Sequence, residues 1–217
     1  MPKRILVIAN KRYSSWSLRP WLVMKAAGIP FTEKQIFLKK RETAEEILRV
    51  SPSGRVPALI EGKITVWESL AICEHLNDEF PRKQLWPAAP AARAMARSIS
   101  QEMHAGFTAL RSNCPMNAVR IFNGVKLNEE THADAARIRS IWREARRLFG
   151  RGGKFLFGEF SIADAMYAPV VLRFRAYGIE ADEICRAYMD AVLELPAMQE
   201  WMKSASQETE IIPAYEL

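Results

Sequence analysis

Strand-like patterning in this chain is confined to its first eighty or so residues, and helical periodicity alone follows. A chain that runs out of strands so early cannot build a sandwich, a barrel or a long parallel sheet. It must set a small sheet with its own helices at one end and a helical body at the other. Between the two, residues 81–90 hold three prolines, Pro81, Pro87 and Pro90, the composition of a linker. The expected organisation is an α/β domain over residues 1–82 and an all-α domain over residues 91–217.

Within the first domain, Arg4 to Ala9 is a short continuous apolar run, the pattern of a strand covered on both faces. A polar turn, Asn10 to Ser17, leads to a helix over Leu18 to Ala27, with Pro20 tolerated in its first turn and Gly28 stopping it. Phe31 to Leu38 reads as a second strand. Thr43 and Glu46 have capping-box spacing and open a short helix that ends near Ser51-Pro52. Val56 to Ile60 and Ile64 to Val66 flank Glu61-Gly62-Lys63 as a hairpin, and Glu68 to Glu79 forms a third helix. The order β-α-β-α-β-β-α is the outline of a thioredoxin-like domain. Helices are then expected over residues 91–122, 131–149, 162–177, 183–194 and 197–205, with no strand among them.

Charge and cysteine usage narrow the function. The first 82 residues carry 14 basic and 9 acidic side chains, whereas the remainder carries 17 and 16, so nearly all of the net +6 lies in the α/β domain. The basic residues are scattered, with no stripe interleaved with aromatics, which argues against nucleic acid and for a small anionic ligand. No apolar run reaches the ~18 residues of a membrane span, and the start of the chain lacks the pattern of a secretory leader. Cys73, Cys114 and Cys185 lie far apart, with neither C-x-x-C nor metal-ligand spacing. We expect no disulfide framework, no metal and a reducing compartment, the cytoplasm.

Three motifs stand in order along the chain. They are Tyr13-Ser-Ser-Trp-Ser-Leu-Arg19 after the first strand, Ser51-Pro-Ser-Gly-Arg-Val-Pro57 followed by Trp67-Glu-Ser69, and Phe160-Ser-Ile-Ala-Asp164 in the helical domain. Together they resemble the cytosolic glutathione transferase family over about residues 4–205. The first is similar to the serine motif of its zeta and tau classes, so the chain resembles a serine-type, zeta/tau-like bacterial member.

The chemistry of these residues agrees with that resemblance. Ser14 and Ser15 lie where a buried strand meets a helix N-terminus, whose free N–H groups favour an anion. A thiol held there ionises more readily, and a serine hydroxyl can donate to the thiolate. Serines at this position also serve as plain helix caps. Ser14 is the first candidate donor, Ser15 the second, and Ser17 is read as a cap. No cysteine occupies the turn, which argues against disulfide exchange. Zeta enzymes carry cysteine where this chain has Trp16.

The resemblance implies a cis Val56-Pro57 bond, with the main chain of Val56 pairing with the cysteinyl backbone of glutathione. It implies that Ser69 holds the γ-glutamyl carboxylate and Glu68 faces the α-amino group, though both also suit an ordinary first turn. Lys39 or Lys40 is a candidate for the glycyl carboxylate, or is simply solvated. Asp164 is read as a structural cap of its helix, and His75, His104 and His132 as isolated. The electrophile is expected between the serine turn, including Trp16, and one face of the long first helix of the second domain. Met103, Phe107, Leu110 and Arg111 share that face by helical spacing, and Arg111 meets either an anionic substrate or an acidic neighbour. The activity implied is glutathione transfer, of the EC 2.5.1.18 type, with glutathione as co-substrate and a small hydrophobic electrophile, serving detoxification in a cytoplasmic homodimer. A zeta-like cis–trans isomerase of the maleylacetoacetate type and a non-catalytic glutathione-transferase-like binding protein are the alternatives.

Overall fold

The computed structural model describes residues 3–216. Its first part contains β1 (Arg4–Ile8), α1 (Ser15–Ala26), β2 (Thr32–Gln35), α2 (Thr43–Leu48), β3 (Ala58–Glu61), β4 (Ile64–Trp67) and α3 (Ser69–Glu79). The strands form one sheet in the order β2-β1-β3-β4. β1 runs parallel to β2 and antiparallel to β3, which pairs antiparallel with β4. The continuous apolar run of β1 has the physical origin its pattern predicts. Leu6 and Ile8 enter the large core under α1 and α3, while Val7 points to the other face and packs with Ile36, Ile47 and Ala58 beneath α2.

The remainder is helical: α4 (Pro90–Ala105), α5 (Thr108–Asn113), α6 (Glu129–Phe149), α7 (Ile162–Tyr177), α8 (Glu183–Leu193) and α9 (Pro196–Ser206). α7 is apolar nearly all round and lies at the centre. Its start is held by the capping box, in which the Asp164 carboxylate accepts from Ser161 N–H at 2.8 Å and Leu156 N–H at 3.0 Å. Burial nevertheless pushes that carboxyl up to about 6. α1 packs on α7 and α9, so a single core runs from Leu6 in the sheet to Ala205 in the last helix. Trp21 and Trp201 meet edge to face within it at 5.0 Å. The thioredoxin-like domain joined to a helical domain is the fold the sequence predicts.

Several boundaries differ for local reasons. α1 begins at Ser15, not Leu18, because the Ser14 hydroxyl accepts from Ser17 N–H and caps the helix three residues earlier. Ser17 is therefore inside the first turn and is not the cap. Pro20 falls in the second turn and has no N–H to offer the Trp16 carbonyl. The Thr43 capping box does not form. Thr43 is itself the first residue of α2, and its hydroxyl donates to the Phe37 carbonyl at 2.7 Å.

The helix expected over residues 91–122 is broken at Gly106-Phe107 and ends at Asn113. Gly106 adopts φ −103°, ψ −162°, and a Cβ there would lie 2.8 Å from the Glu102 carbonyl oxygen. Phe107 sits in the left-handed region at φ 55°. Two isolated bridges, Phe155 with Gly158 and Phe157 with Glu159, add β pairing where none was expected.

Candidate functional site

A cleft between the domains opens into two compartments that share Trp16, Arg55, Val56 and Arg111 in their walls. Their volumes are about 410 and 360 Å³, each enough for a small ligand.

The first compartment is entered past Ser14 and Ser15 at the start of α1. Ser14 is nearly buried, and its hydroxyl donates to Ser17 Oγ at 2.8 Å while accepting from Ser17 N–H. Ser17 Oγ in turn accepts from Ala9 N–H at 3.0 Å, anchoring the pair to the end of the sheet. Tyr13, immediately before, turns its hydroxyl the other way and donates it to Glu216 at 2.5 Å. Burial and that carboxylate hold the phenol above its ordinary pKa, so its proton is committed.

The turn leading to Ser14 is braced from the far end of the chain. Glu208 accepts from the N–H groups of Lys11 and Arg12 at 2.6 and 2.9 Å, and Glu216 also receives Asn117 and Arg120. Tyr215 completes the compartment wall.

The second compartment is lined by Val56, Pro57, Glu68 and His104 among others. The Val56-Pro57 bond is cis. Glu68 adopts φ 72°, ψ 130° at the N-cap of α3, a conformation that costs a non-glycine residue about 1–3 kcal/mol and persists only where the surroundings enforce it. Ser69, the first residue of that helix, is fully buried, and its hydroxyl has no hydrogen-bond partner among the described residues. An orphaned hydroxyl at a helix N-terminus, beside free N–H groups, matches an anionic acceptor such as a carboxylate.

Helical-domain residues are distributed differently from expectation. Arg111 reaches both compartments, with its guanidinium 4.9 Å from the Trp16 ring centroid, and donates to the His104 and Gly106 carbonyls. Met103 and Phe107 do not line either one. The break at Gly106 ends the common helical face, and both side chains are buried in the core at 0% and 7% exposure. Lys40 is also absent from the cleft: its ammonium pairs with Glu210 at 3.0 Å.

His104, expected to be isolated, stands edge-on to Trp16 at 5.1 Å and 3.8 Å from Glu68. Burial lowers its pKa first and Arg19 adds to that, while Glu68 opposes. His104 lies in the last turn of α4, just ahead of the break at Gly106, and no local sequence pattern marks it. Arg173 was legible in principle, as one of two arginines, with Arg175, near the end of the otherwise apolar stretch that follows Asp164 in α7. It lines the first compartment at 4% exposure.

None of the cysteines belongs to either wall, and burial raises all three thiols, Cys114 to about 11 and Cys185 to about 12. Any thiol chemistry in this cleft uses a thiol brought by a ligand. A thioredoxin-like domain with a serine at the helix start thus faces a helical domain across a two-compartment cleft.

The pattern of the glutathione S-transferase N-terminal domain matches residues 13–79, and that of the C-terminal domain matches residues 128–204. A maleylacetoacetate isomerase from Rattus norvegicus is 30% identical over 182 residues, covering 82% of this chain and 81% of the relative. A stringent starvation protein A homolog from Haemophilus ducreyi is 20% identical over 196 residues, covering 88% and 87%. The crystal structure of a Burkholderia glutathione transferase homolog with bound glutathione superposes with a TM-score of 0.72 at 23% identity, covering 95% of this chain and 100% of that one. The chain belongs to the cytosolic glutathione S-transferase family.

Proposed function

We propose that this protein is a glutathione transferase, of the EC 2.5.1.18 type, that ionises the thiol of glutathione with Ser14 and conjugates it to a small electrophile. The observation that carries the reading is Ser14 itself: a nearly buried hydroxyl at the N-terminus of α1, facing the cleft. Its neighbour Tyr13 is already committed to Glu216. On this reading Ser14 is a hydrogen-bond donor and not a base. The thiol proton leaves to water, the thiolate is held by the Ser14 hydroxyl and the helix end, and its sulfur attacks the electrophile. Donation requires the Ser14–Ser17 bond to reverse, so that the Ser17 hydroxyl donates to Ser14 and releases the Ser14 proton towards the sulfur. Ser17 is thus a positioning residue, and Ser15 stands by as the alternative donor. Ser69 and the strained Glu68 would receive the γ-glutamyl end, and Val56 the cysteinyl backbone.

Ser14→Ala tests this. The pKa of bound glutathione should rise by one to two units, about 1.4–2.7 kcal/mol, with little change in its affinity. Turnover at neutral pH should fall in step and recover at higher pH. Ultraviolet titration of the thiolate reads the shift. An unmoved titration in both Ser14→Ala and Ser15→Ala leaves the helix N-terminus alone to activate the thiol.

The 30% identity to a maleylacetoacetate isomerase favours a second reading, a cis–trans isomerase using the same thiolate. Trp16 in place of the zeta-class cysteine weighs against it, and side-by-side assays of conjugation and isomerisation decide. We place the protein in the cytoplasm with a role in detoxification. We also infer a homodimer, supported by the exposure of Ile64 and Trp67 on the edge strand β4. Light scattering should return about twice 24.7 kDa, and the monomer mass would reject the assembly.

A further inference from the structure

Arg111 and Arg173 line the first compartment, and Arg19 joins Arg111 on the Trp16 ring of the same wall, with no acid to meet the three. Arg19 and Arg173 are 1% and 4% exposed, and Arg111 is half-buried. Among the described residues none of the three forms an ion pair. The partners of Arg111 and Arg173 are neutral carbonyls: His104 and Gly106 for the first, Cys114 and Pro169 for the second. Arg19 leaves Nε and Nη1 buried without a partner and lies over the Trp16 ring at 4.2 Å.

The three cations also feel one another. Burial and mutual repulsion pull Arg19 down to about 9 and Arg173 down to about 10. A buried, unpaired guanidinium is among the more costly features a fold can carry. Bracing the Cys114 carbonyl across the turn and the Pro169 carbonyl within α7 explains two nitrogens of Arg173. It does not explain the third, Nη2, which has no partner among the described residues on a side chain that lines the compartment. Nor does it explain Arg19 or the convergence of all three. The acid nearest the cleft, Glu68, stands in the other compartment against His104.

We infer that the second substrate carries a carboxylate, received by Arg173 and Arg111 beside Ser14, with Trp16 held against its body by Arg19. This rests on the transferase reading and replaces the purely hydrophobic electrophile expected from the family. On the transferase reading the γ-glutamyl carboxylate of glutathione lies at Ser69 and its cysteinyl backbone at Val56, both on the α/β side of the cleft. The arginine cluster therefore sorts the second substrate and does not hold the peptide.

The test uses the full chain and matched probes. With glutathione saturating, 4-chloro-3-nitrobenzoate and its methyl ester are compared by kcat/KM, each divided by its uncatalysed rate with glutathione. The acid should lead by tenfold or more, and the lead should collapse towards unity in Arg173→Met and in Arg111→Gln, the latter at a half-buried position that tolerates change. Equal or reversed preference in the wild type overturns the inference while leaving the transferase standing. Independently of turnover, calorimetry with 4-nitrobenzoate and methyl 4-nitrobenzoate should show binding of the acid only. Binding of both alike overturns the inference even if conjugation is never detected. Displacement of 4-nitrobenzoate by S-methylglutathione also overturns it, by assigning the arginines to the peptide.

Discussion

The wall of the cleft contributed by the α/β domain offers a main-chain edge at Val56 and hydroxyls at Ser14 and Ser15, with the Ser69 hydroxyl buried at the start of α3. The wall contributed by the helical domain offers guanidinium groups held by carbonyls, at Arg111 and Arg173. The first kind of wall recognises a ligand whose shape is constant, since backbone groups sit where the fold puts them. The second offers positive charge, carried on α5 and α7.

The largest effect should come from the helical side. Asp164→Ala would leave the N–H groups of Leu156 and Ser161 and the Ser161 hydroxyl without an acceptor in a fully buried site. We expect a loss of about 3–5 kcal/mol, read as a lower melting temperature and denaturant midpoint. Because α7 carries Arg173, the helical wall should loosen as well. A variant that melts normally but turns over poorly would instead make Asp164 part of the chemistry.

A smaller effect, opposite in character, is expected on the α/β side. Ser69→Ala removes a hydroxyl that has no partner in the free protein. Stability should hold or rise slightly, while glutathione binding weakens by about 1–2 kcal/mol. Calorimetric affinity equal to that of the wild type would take Ser69 out of the site.

The smallest effect concerns His104, which lies between the walls. Its folded-state pKa is below the ordinary value of 6.5, chiefly through burial and then Arg19. The unfolded chain thus takes up the proton first, and stability falls as pH drops through 6.5 towards the lowered folded value. The melting temperature of His104→Asn should slope less between pH 7.5 and 5 than that of the wild type. Parallel slopes would mean that His104 titrates alike in both states.

The same contrast decides what could be read from the sequence. The strand β1, the hairpin β3–β4 and the serine turn were legible because strand alternation, turn residues and helix-start chemistry are local. Ser14 rather than Ser17 as the cap was within reach, since either serine fits a cap and only the onset of apolar spacing at Leu18 pointed to the later one. Phe107 was misplaced because helical spacing assumes an unbroken helix, whereas Met103, within α4, simply faces the core. One non-helical glycine followed by a left-handed phenylalanine rotates everything beyond it. The arginine cluster brings together α1, α5 and α7, and no local pattern carries that convergence.

The brace on the serine turn has a consequence for how the protein is made. Lys11 and Arg12 give their N–H groups to Glu208, and Tyr13 gives its hydroxyl to Glu216. On the ribosome the sheet and α1 emerge long before those carboxylates, and domains fold in order of synthesis. The α/β domain must therefore wait with its serine turn unbraced until nearly two hundred further residues have been added. The cleft is finished only once residues 208–216 have been added, so a chain stalled before them would carry the serine turn in a fold that cannot yet hold it still.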